Sequence, residues 1–151
     1  MEELNGSTVN TIQYIIVKMG DEQFGIDIKY IDNIVRMQHI TRVPKVAPYL
    51  KGVINLRGEV IPVISMRLKI GMEQDEYTKD TRIIIVKQEQ FGTVGIVVDA
   101  VKEVIMLEED KIEKVVKAKE DHSNFLLGVG QFGDGLISVL DLNALLAEQT
   151  A

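Results

Sequence analysis

Runs of β-branched residues alternate with short polar turns along most of this chain, and this pattern predicts strands rather than long helices. The predicted strands are residues 12–17, 22–28, 53–56, 60–64, 83–86, 93–98, 104–107, 127–131 and 136–140. After Gly25 the apolar spacing changes from two to three, which predicts a short helical turn that carries Ile28, Ile31 and Ile34. Strong helix formers after a capping Asp141 predict a helix at the C-terminus.

The strand pattern occurs twice along the chain. Residues 11–35 match residues 81–105 at a constant offset of 70, and residues 49–66 match residues 125–142 at a constant offset of 76. A unit present only twice indicates a duplicated subdomain and not a solenoid. Each copy has roughly 70 residues and would be marginal as an independent fold, so we expect the copies to pack against each other.

Each copy contains about five short strands, which are most economically closed into a small barrel because closure removes exposed edges. The predicted fold is therefore mainly β, with two β-barrel subdomains packed side by side and short helices. We predict a flexible tail over residues 1–10 and a single domain over 11–147. Within it we expect a first subdomain over 11–75 and a second over 76–147, and exchange of the N-terminal strand between them stays open.

Composition and charge exclude several classes of protein. The chain has 151 residues, no cysteine and a formal net charge of −6. The missing cysteines exclude disulfides and thiolate metal sites, and the missing basic block disfavours a nucleic-acid partner. No apolar run approaches the roughly 20 residues of a membrane helix, and the N-terminus lacks the pattern of a signal peptide. We therefore expect a cytoplasmic protein without direct membrane insertion.

Residues capable of catalysis are sparse. His39 and His122 stand far apart and at non-equivalent places in the repeat. Paired carboxylates such as Glu108 and Glu109 lie in polar stretches typical of a solvated surface. The sequence contains no phosphate-binding loop, zinc-binding motif or nucleophile elbow. We predict no enzymatic activity, no cofactor and no metal.

The aliphatic residues at a spacing of three are candidates for a binding surface. Ile28, Ile31 and Ile34 have counterparts at the same spacing in the second copy, namely Val98, Val101 and Val104. Two such turns that meet between the copies would form an apolar groove long enough for a partner helix. The alternative is that these residues belong to the hydrophobic core.

An arginine beside a hairpin glycine is the second candidate feature. The second copy has Gln131 in place of Asn55 and Gly133 in place of Arg57, so the repeat does not account for the arginine. Its fork-shaped donor group suits recognition of a carboxylate or carbonyl of a partner. The alternative is an ordinary surface arginine in the turn before Gly58.

At these residues the chain resembles the CheW-type coupling proteins of bacterial chemotaxis. The match runs in the same order across about residues 11–147, and the Asn-Leu-Arg-Gly stretch at 55–58 is quite specific. The other matching elements are residues 24–28, the Ile31 and Ile34 turn, 41–44, 51–54, 60–63, 95–99 and 127–128. The chain departs from the family pattern at Asn33, where many relatives have an acidic residue, and at Ser65, where many have aspartate.

The resemblance implies two intertwined five-stranded SH3-like barrels and a role that is not enzymatic. Family members link the histidine kinase CheA, through its related regulatory domain, to the cytoplasmic tip of methyl-accepting chemoreceptors. The resemblance implies that a receptor helical hairpin contacts Ile15, Ile28, Ile31, Ile34, Asn55, Leu56, Arg57 and Val101. The kinase contact is less portable, and we place it at Ile112, Glu113 and Lys117.

Alternative functions stay open at this point. One is a CheW-like regulatory module excised from a larger chemotaxis protein, either the kinase or a coupler fused to a receiver. A small hydrolase or a non-catalytic ligand-binding β-barrel would need a closed, polar-lined pocket with convergent titratable groups. An SH3-like nucleic-acid binder would need a basic face. We favour a free-standing coupler that is monomeric when free.

Overall fold

The computed structural model describes residues 10–74, 76–114 and 125–147, and every structural statement below concerns these residues. The strands in chain order are β1 (Thr11–Met19), β2 (Glu22–Asp27), β3 (Ile31–Arg36), β4 (Leu50–Leu56), β5 (Glu59–Ser65), β6 (Arg82–Gln88), β7 (Gly92–Val98), β8 (Ala100–Glu108), β9 (Glu113–Lys114), β10 (Leu126–Phe132) and β11 (Gly135–Leu140). The α-helices are α1 (Met66–Lys69) and α2 (Leu142–Ala147), and 3₁₀ turns lie at Ile28–Tyr30 and Glu109–Lys111. The prediction of a mainly β fold with short helices is confirmed.

The strands form two sheets, and each sheet takes strands from both halves of the sequence. The six-stranded sheet has the order β8-β1-β2-β11-β10-β9, and the five-stranded sheet has the order β3-β6-β7-β5-β4. The boundary that we predicted between residues 75 and 76 therefore does not separate the sheets. The exchange involves the first hairpin of each copy, β1–β2 and β6–β7, and not the N-terminal strand alone. Closure of each sheet into an SH3-like barrel and the single domain over 11–147 stay predictions.

The repeat is visible in the strand pairing, with one correction. Gly25 pairs with Ile16 and Gly95 pairs with Ile85, so the two glycines correspond at an offset of 70 but the two isoleucines correspond at 69. The offset of 70 predicted from residue 11 onward is therefore wrong by one residue in the first strand. The cause is the hairpin turn, because three residues separate β6 from β7 and only two separate β1 from β2.

The predicted helical turn is mostly a strand. Only Ile28–Tyr30 is helical, and β3 begins at Ile31. The spacing of three arises because Ile31 pairs with Val86 and Asn33 pairs with Ile85, which leaves Asp32 as an extra, bulged residue. A bulge adds one residue to the alternation of a strand, so residues three apart face the same side.

The same bulge recurs in the second copy. Val101 pairs with Val17 and Glu103 pairs with Ile16, so Lys102 is the extra residue of β8. The helical turn expected around Val101 is therefore wrong, and the residue lies on a strand. Its predicted neighbour Val98 is fully buried at the end of β7.

Among the described residues, the hydrophobic core consists of three clusters. The central cluster combines both sheets, including Ile15 and Ile26 of the six-stranded sheet and Ile84 and Ile96 of the five-stranded sheet. One outer cluster belongs to the six-stranded sheet and contains Tyr14, Ile16, Ile105, Leu107, Ile137 and Val139. The other belongs to the five-stranded sheet and contains Ile54, Ile61, Val63, Ile83, Ile85 and Val97. The sheets thus pack on each other through the central cluster.

Both short helices begin in the same way. The Ser65 side chain accepts a hydrogen bond from the backbone N–H of Leu68 at 3.1 Å, and Asp141 accepts one from Ala144 at 3.1 Å. These caps correspond at the offset of 76, so the predicted C-terminal helix is confirmed and α1 is its counterpart. Ser65 is fully buried, so its capping hydroxyl is shielded from solvent.

Candidate partner-binding site

Four of the predicted receptor-binding residues lie at the central cluster, from opposite sheets. Ile15 is on β1 and Val101 on β8 of the six-stranded sheet, whereas Ile31 and Ile34 are on β3 of the five-stranded sheet. Ile15 is almost fully buried, and the other three are partly buried against the cluster. We call these four apolar residues, which both sheets contribute to the central cluster, the seam.

More exposed aliphatic residues flank the seam. Ile28 is 38% exposed on the 3₁₀ turn that leads from β2 to β3, and the Asp27 carboxylate caps this turn by accepting the Lys29 N–H at 3.0 Å. Val104 is 47% exposed and pairs with Ile15 across the two strands, which puts both side chains on the same face. Val104 was absent from the predicted contact set, although its spacing from Val101 had marked it.

The hairpin between β4 and β5 presents Arg57 at its tip. Leu56 pairs with Glu59, so Arg57 and Gly58 are the two central residues, with φ of 54° and 83°. Positive φ at both positions is the geometry of the hairpin turn that matches strand twist. The Asn55 side chain accepts the Gly58 N–H at 3.2 Å and so fixes the turn. Asparagine and arginine are both exposed.

The structure separates this hairpin from the seam in one respect. Leu56 packs against the outer cluster of the five-stranded sheet and not against the central cluster that Ile31 and Ile34 contact. Within the part of the chain that the structure describes, Arg57 makes no ion pair. Its side chain is exposed at the tip of the hairpin, which suits a contact with a partner.

The predicted kinase-binding residues have different surroundings. Ile112 is partly buried against the outer cluster of the six-stranded sheet and covers Gly128, where an added Cβ would lie 2.7 Å from Ile112 Cγ2. Glu113 is exposed on β9, the edge strand that pairs with β10. Lys117 lies outside the described residues. Ile112 therefore contributes to packing, and Glu113 is the accessible residue of the two.

Sequence reasoning missed an ion pair between Arg67 and Asp99. Arg67 Nε donates to Asp99 Oδ1 at 2.8 Å, and Nη2 donates to Oδ2 at 2.6 Å. The Gly20 N–H also donates to Oδ2, at 2.7 Å. These hydrogen bonds, with that from Arg67 the largest cause, hold the pKa of Asp99 below its usual value of 3.8 although burial opposes the shift. No local pattern reveals a pair that is 32 residues apart.

The described residues contain no group of three or more His, Asp or Glu side chains placed to hold a metal ion. A cavity of about 380 Å³ opens between α2 and the five-stranded sheet and is lined mainly by aliphatic and aromatic side chains, including Tyr49, Leu50, Ile64 and Leu146. Lys69 is its one charged lining residue, and its Nζ lies 4.2 Å from the centroid of the Tyr49 ring. The cavity offers no convergent set of titratable groups. No described helix is long and apolar enough to cross a membrane.

Known proteins resemble this chain over most of its length. A family model described as the CheW-like domain matches residues 13–150. The chemotaxis protein CheW of Helicobacter pylori is 36% identical over 135 residues, covering 89% of this chain and 81% of that protein. The Bacillus subtilis protein of the same name is 33% identical, covering 91% and 88%. The crystal structure of the scaffolding protein TtCheW from Thermoanaerobacter tengcongensis superimposes with a TM-score of 0.82 at 32% identity, over 90% of this chain and 92% of that one.

Proposed function

Because the chain belongs to the CheW-like domain family, we propose that it couples methyl-accepting chemoreceptors to the histidine kinase CheA as a non-catalytic scaffold. The observation that carries the proposal is the seam, to which Ile31 and Ile34 of one sheet and Ile15 and Val101 of the other contribute apolar surface. Such a surface fits the helix-in-groove mode of recognition, in which aliphatic side chains of a partner helix enter an apolar groove.

In this proposal the receptor hairpin lies along the seam, and exposed residues flank it. Ile28 and Val104 extend the apolar surface, because both are more than a third exposed. Arg57 and Asn55 form a polar contact, in which the arginine meets a carboxylate or carbonyl of the receptor. Leu56 supports the hairpin from below through the outer cluster. The apolar contacts of the seam supply affinity for the receptor hairpin, and the contact of Arg57 fixes the orientation in which the hairpin binds.

The kinase contact is proposed at the opposite sheet edge, near Glu113 of β9. Edge strands present unpaired backbone groups, which suits pairing with a related domain. The chain also resembles the CheA protein of Borreliella burgdorferi, with 28% identity over 134 residues that make up 15% of that protein. Ile112 would act here by holding the edge in place, and we keep Lys117 in the proposed contact.

The alternatives have less support. The chain is more similar to the two CheW proteins, at 36% and 33% identity, than to the kinase, at 28%, which favours the coupler over a kinase module. A ligand-binding barrel or hydrolase would need a pocket with convergent titratable groups. The cavity beside α2 is mainly apolar, and the larger cleft lined by Arg42, Lys45 and Lys51 contains no carboxylate or histidine among the described residues. We therefore propose a cytoplasmic adaptor that needs no cofactor.

Titration calorimetry with a receptor cytoplasmic hairpin and with the kinase regulatory domain tests the proposal. We expect both to bind, and Val104→Asp to weaken receptor binding at least about tenfold, because a carboxylate would be desolvated under the partner. Arg57→Asp should also weaken receptor binding while thermal unfolding changes little. The matched control is Leu136→Asp, since Leu136 is 65% exposed on the β10–β11 hairpin. Failure of both partners to bind would refute the proposal.

A further inference from the structure

The chain passes from one sheet to the other at Asp99. β7 of the five-stranded sheet ends at Val98, and β8 of the six-stranded sheet begins at Ala100. A single residue therefore connects the sheets, and the seam residue Val101 follows two positions later. Such a short connection has little slack, so the way in which Asp99 is held is coupled to the way in which the sheets meet.

The Asp99 carboxylate is bonded to both sheets at once. Arg67 lies on α1, which directly follows β5 of the five-stranded sheet, and donates two hydrogen bonds to the carboxylate at 2.8 and 2.6 Å. Gly20 lies in the β1–β2 turn of the six-stranded sheet and donates its N–H at 2.7 Å. The two charged side chains are only 19% and 25% exposed, so solvent screens their attraction weakly. Because the ion pair is bidentate, it fixes the relative orientation of the Arg67 and Asp99 side chains and not only the distance between them.

The duplication does not account for this pair. At the repeat offsets, Lys29 stands in place of Asp99 and Asn143 stands in place of Arg67. The second copy instead has a neutral, exposed contact, in which Gln88 of β6 donates to the Asn143 side chain on α2. In both copies, a helix that follows one sheet is thus connected to a hairpin of the other sheet. The connection from α1 to the β1–β2 hairpin uses the partly buried ion pair of Arg67 and Asp99, whereas the connection from α2 to the β6–β7 hairpin uses the neutral contact.

We propose that Arg67 and Asp99 are positioning residues that fix the orientation of the two sheets and thereby set the spacing of the seam for its partner. Ile31 and Ile34 are on one side of the seam, and Ile15 and Val101 are on the other, so a rotation between the sheets changes the distance between them. This inference rests on the proposed function, because the seam is the surface proposed for the receptor hairpin.

Distance measurements by pulsed electron paramagnetic resonance test this inference in the full chain. The sequence has no cysteine, so Glu59→Cys on β5 and Gln131→Cys on β10 introduce the only thiols for spin labels, one on each sheet. Both positions are exposed. The labelled parent is compared with Arg67→Met, Asp99→Asn and the matched control Asn143→Ala. Circular dichroism melts show whether each variant still unfolds cooperatively.

We expect one narrow distance distribution in the parent and in Asn143→Ala, and a broader or displaced one in Arg67→Met. Asp99→Asn should be intermediate, because its amide oxygen still accepts from Gly20. Receptor-hairpin affinity should follow the distances: if about one molecule in ten keeps the parent geometry, binding weakens about tenfold. Arg67→Lys keeps the charge but not the bidentate geometry, so it should recover only part of the affinity.

Unchanged distances in Arg67→Met and Asp99→Asn would overturn the positioning role, even if receptor binding weakened. Should Arg67→Met fail to fold, the milder Asp99→Asn decides the question alone. If the parent does not bind the receptor hairpin, the proposed function fails, but the distances still decide whether the pair orients the sheets. The two proposals are thus tested separately.

Discussion

Replacing Gly52 by alanine should destabilise the protein strongly, for two separable reasons. Gly52 has φ of 144°, where a residue with a side chain is strained, and an added Cβ would lie 2.1 Å from the Thr41 carbonyl oxygen. Thr41 and Val53 hydrogen-bond to each other in both directions, at 2.8 and 2.9 Å, so the backbone at Thr41 cannot retreat without losing these bonds. Backbone strain costs about 1–3 kcal/mol and overpacking about 1–3 kcal/mol, which gives a loss of about 2–6 kcal/mol.

Two other glycines separate these contributions. Gly58 has φ of 83° and nothing within 4 Å of an added Cβ, so Gly58→Ala carries strain alone. Gly128, the repeat counterpart of Gly52, would place its Cβ 2.5 Å from the Glu113 carbonyl oxygen without positive φ, so Gly128→Ala carries the clash alone. If the effects add, the loss in Gly52→Ala approaches the sum of the other two.

Equilibrium urea unfolding followed by circular dichroism measures the three losses. For a chain of this length each kcal/mol also lowers Tm by about 2–4 °C, so melting curves give an independent check. The reasoning is refuted if Gly52→Ala is no less stable than Gly58→Ala. If Gly52→Ala does not fold at all while Gly58→Ala does, that result also supports the reasoning that Gly52→Ala combines strain with a clash.

The remaining predictions concern Asp99 and the proposed kinase edge. The pKa of Asp99 is lowered in the folded state, so its ionised form adds stability above the usual carboxyl pKa of 3.8, and this contribution disappears as pH falls through the folded pKa. The difference in free energy of unfolding between the parent and Asp99→Asn should therefore shrink below pH 3.8. The exposed control Asp134→Asn should have nearly the same stability as the parent. A difference for Asp99→Asn that stays constant down to pH 2 would contradict a stabilising role of the ionised Asp99 carboxylate. Ile112→Ala should cost about 1–3 kcal/mol because it opens space beside Gly128, whereas Glu113→Lys should leave stability within about 0.5 kcal/mol and weaken binding of the kinase regulatory domain. Equal destabilisation by the two substitutions would show that the edge acts through packing alone.

The repeated unit could be predicted from the sequence, but its strand partners could not. Alternation of apolar residues shows which face of a strand is buried, and the glycines at 25 and 95 align the copies. This alternation does not show which other strand is the hydrogen-bonded neighbour in the sheet. β2 pairs with β11, which is more than a hundred residues away, and neither segment contains a pattern that identifies the other as its partner. The exchange of hairpins between the sheets therefore became visible only in three dimensions.

The candidate site could be predicted in part, and for a reason that was partly wrong. Ile31 and Ile34 were grouped because their spacing suggests a helix, and they do share a side, but a bulge at Asp32 produces that spacing within a strand. Asn55 and Arg57 stood out because the second copy lacks them. Arg67 and Asp99 could not be predicted as a pair, because their contact depends on how α1 meets the β7–β8 connection and not on any local pattern.

The exchanged hairpins also determine when this protein can fold during its synthesis. Phe24 of β2 pairs with Ser138, which lies 114 residues further along the chain, and the partner of Ile12 on β1 is Leu107. Neither half can complete a sheet while the other is still inside the ribosome, so the early hairpin leaves the exit tunnel with unpaired edges. The five-stranded sheet can form once β7 has emerged, whereas the six-stranded sheet must wait for β11, and the folding rate reflects these distant pairings.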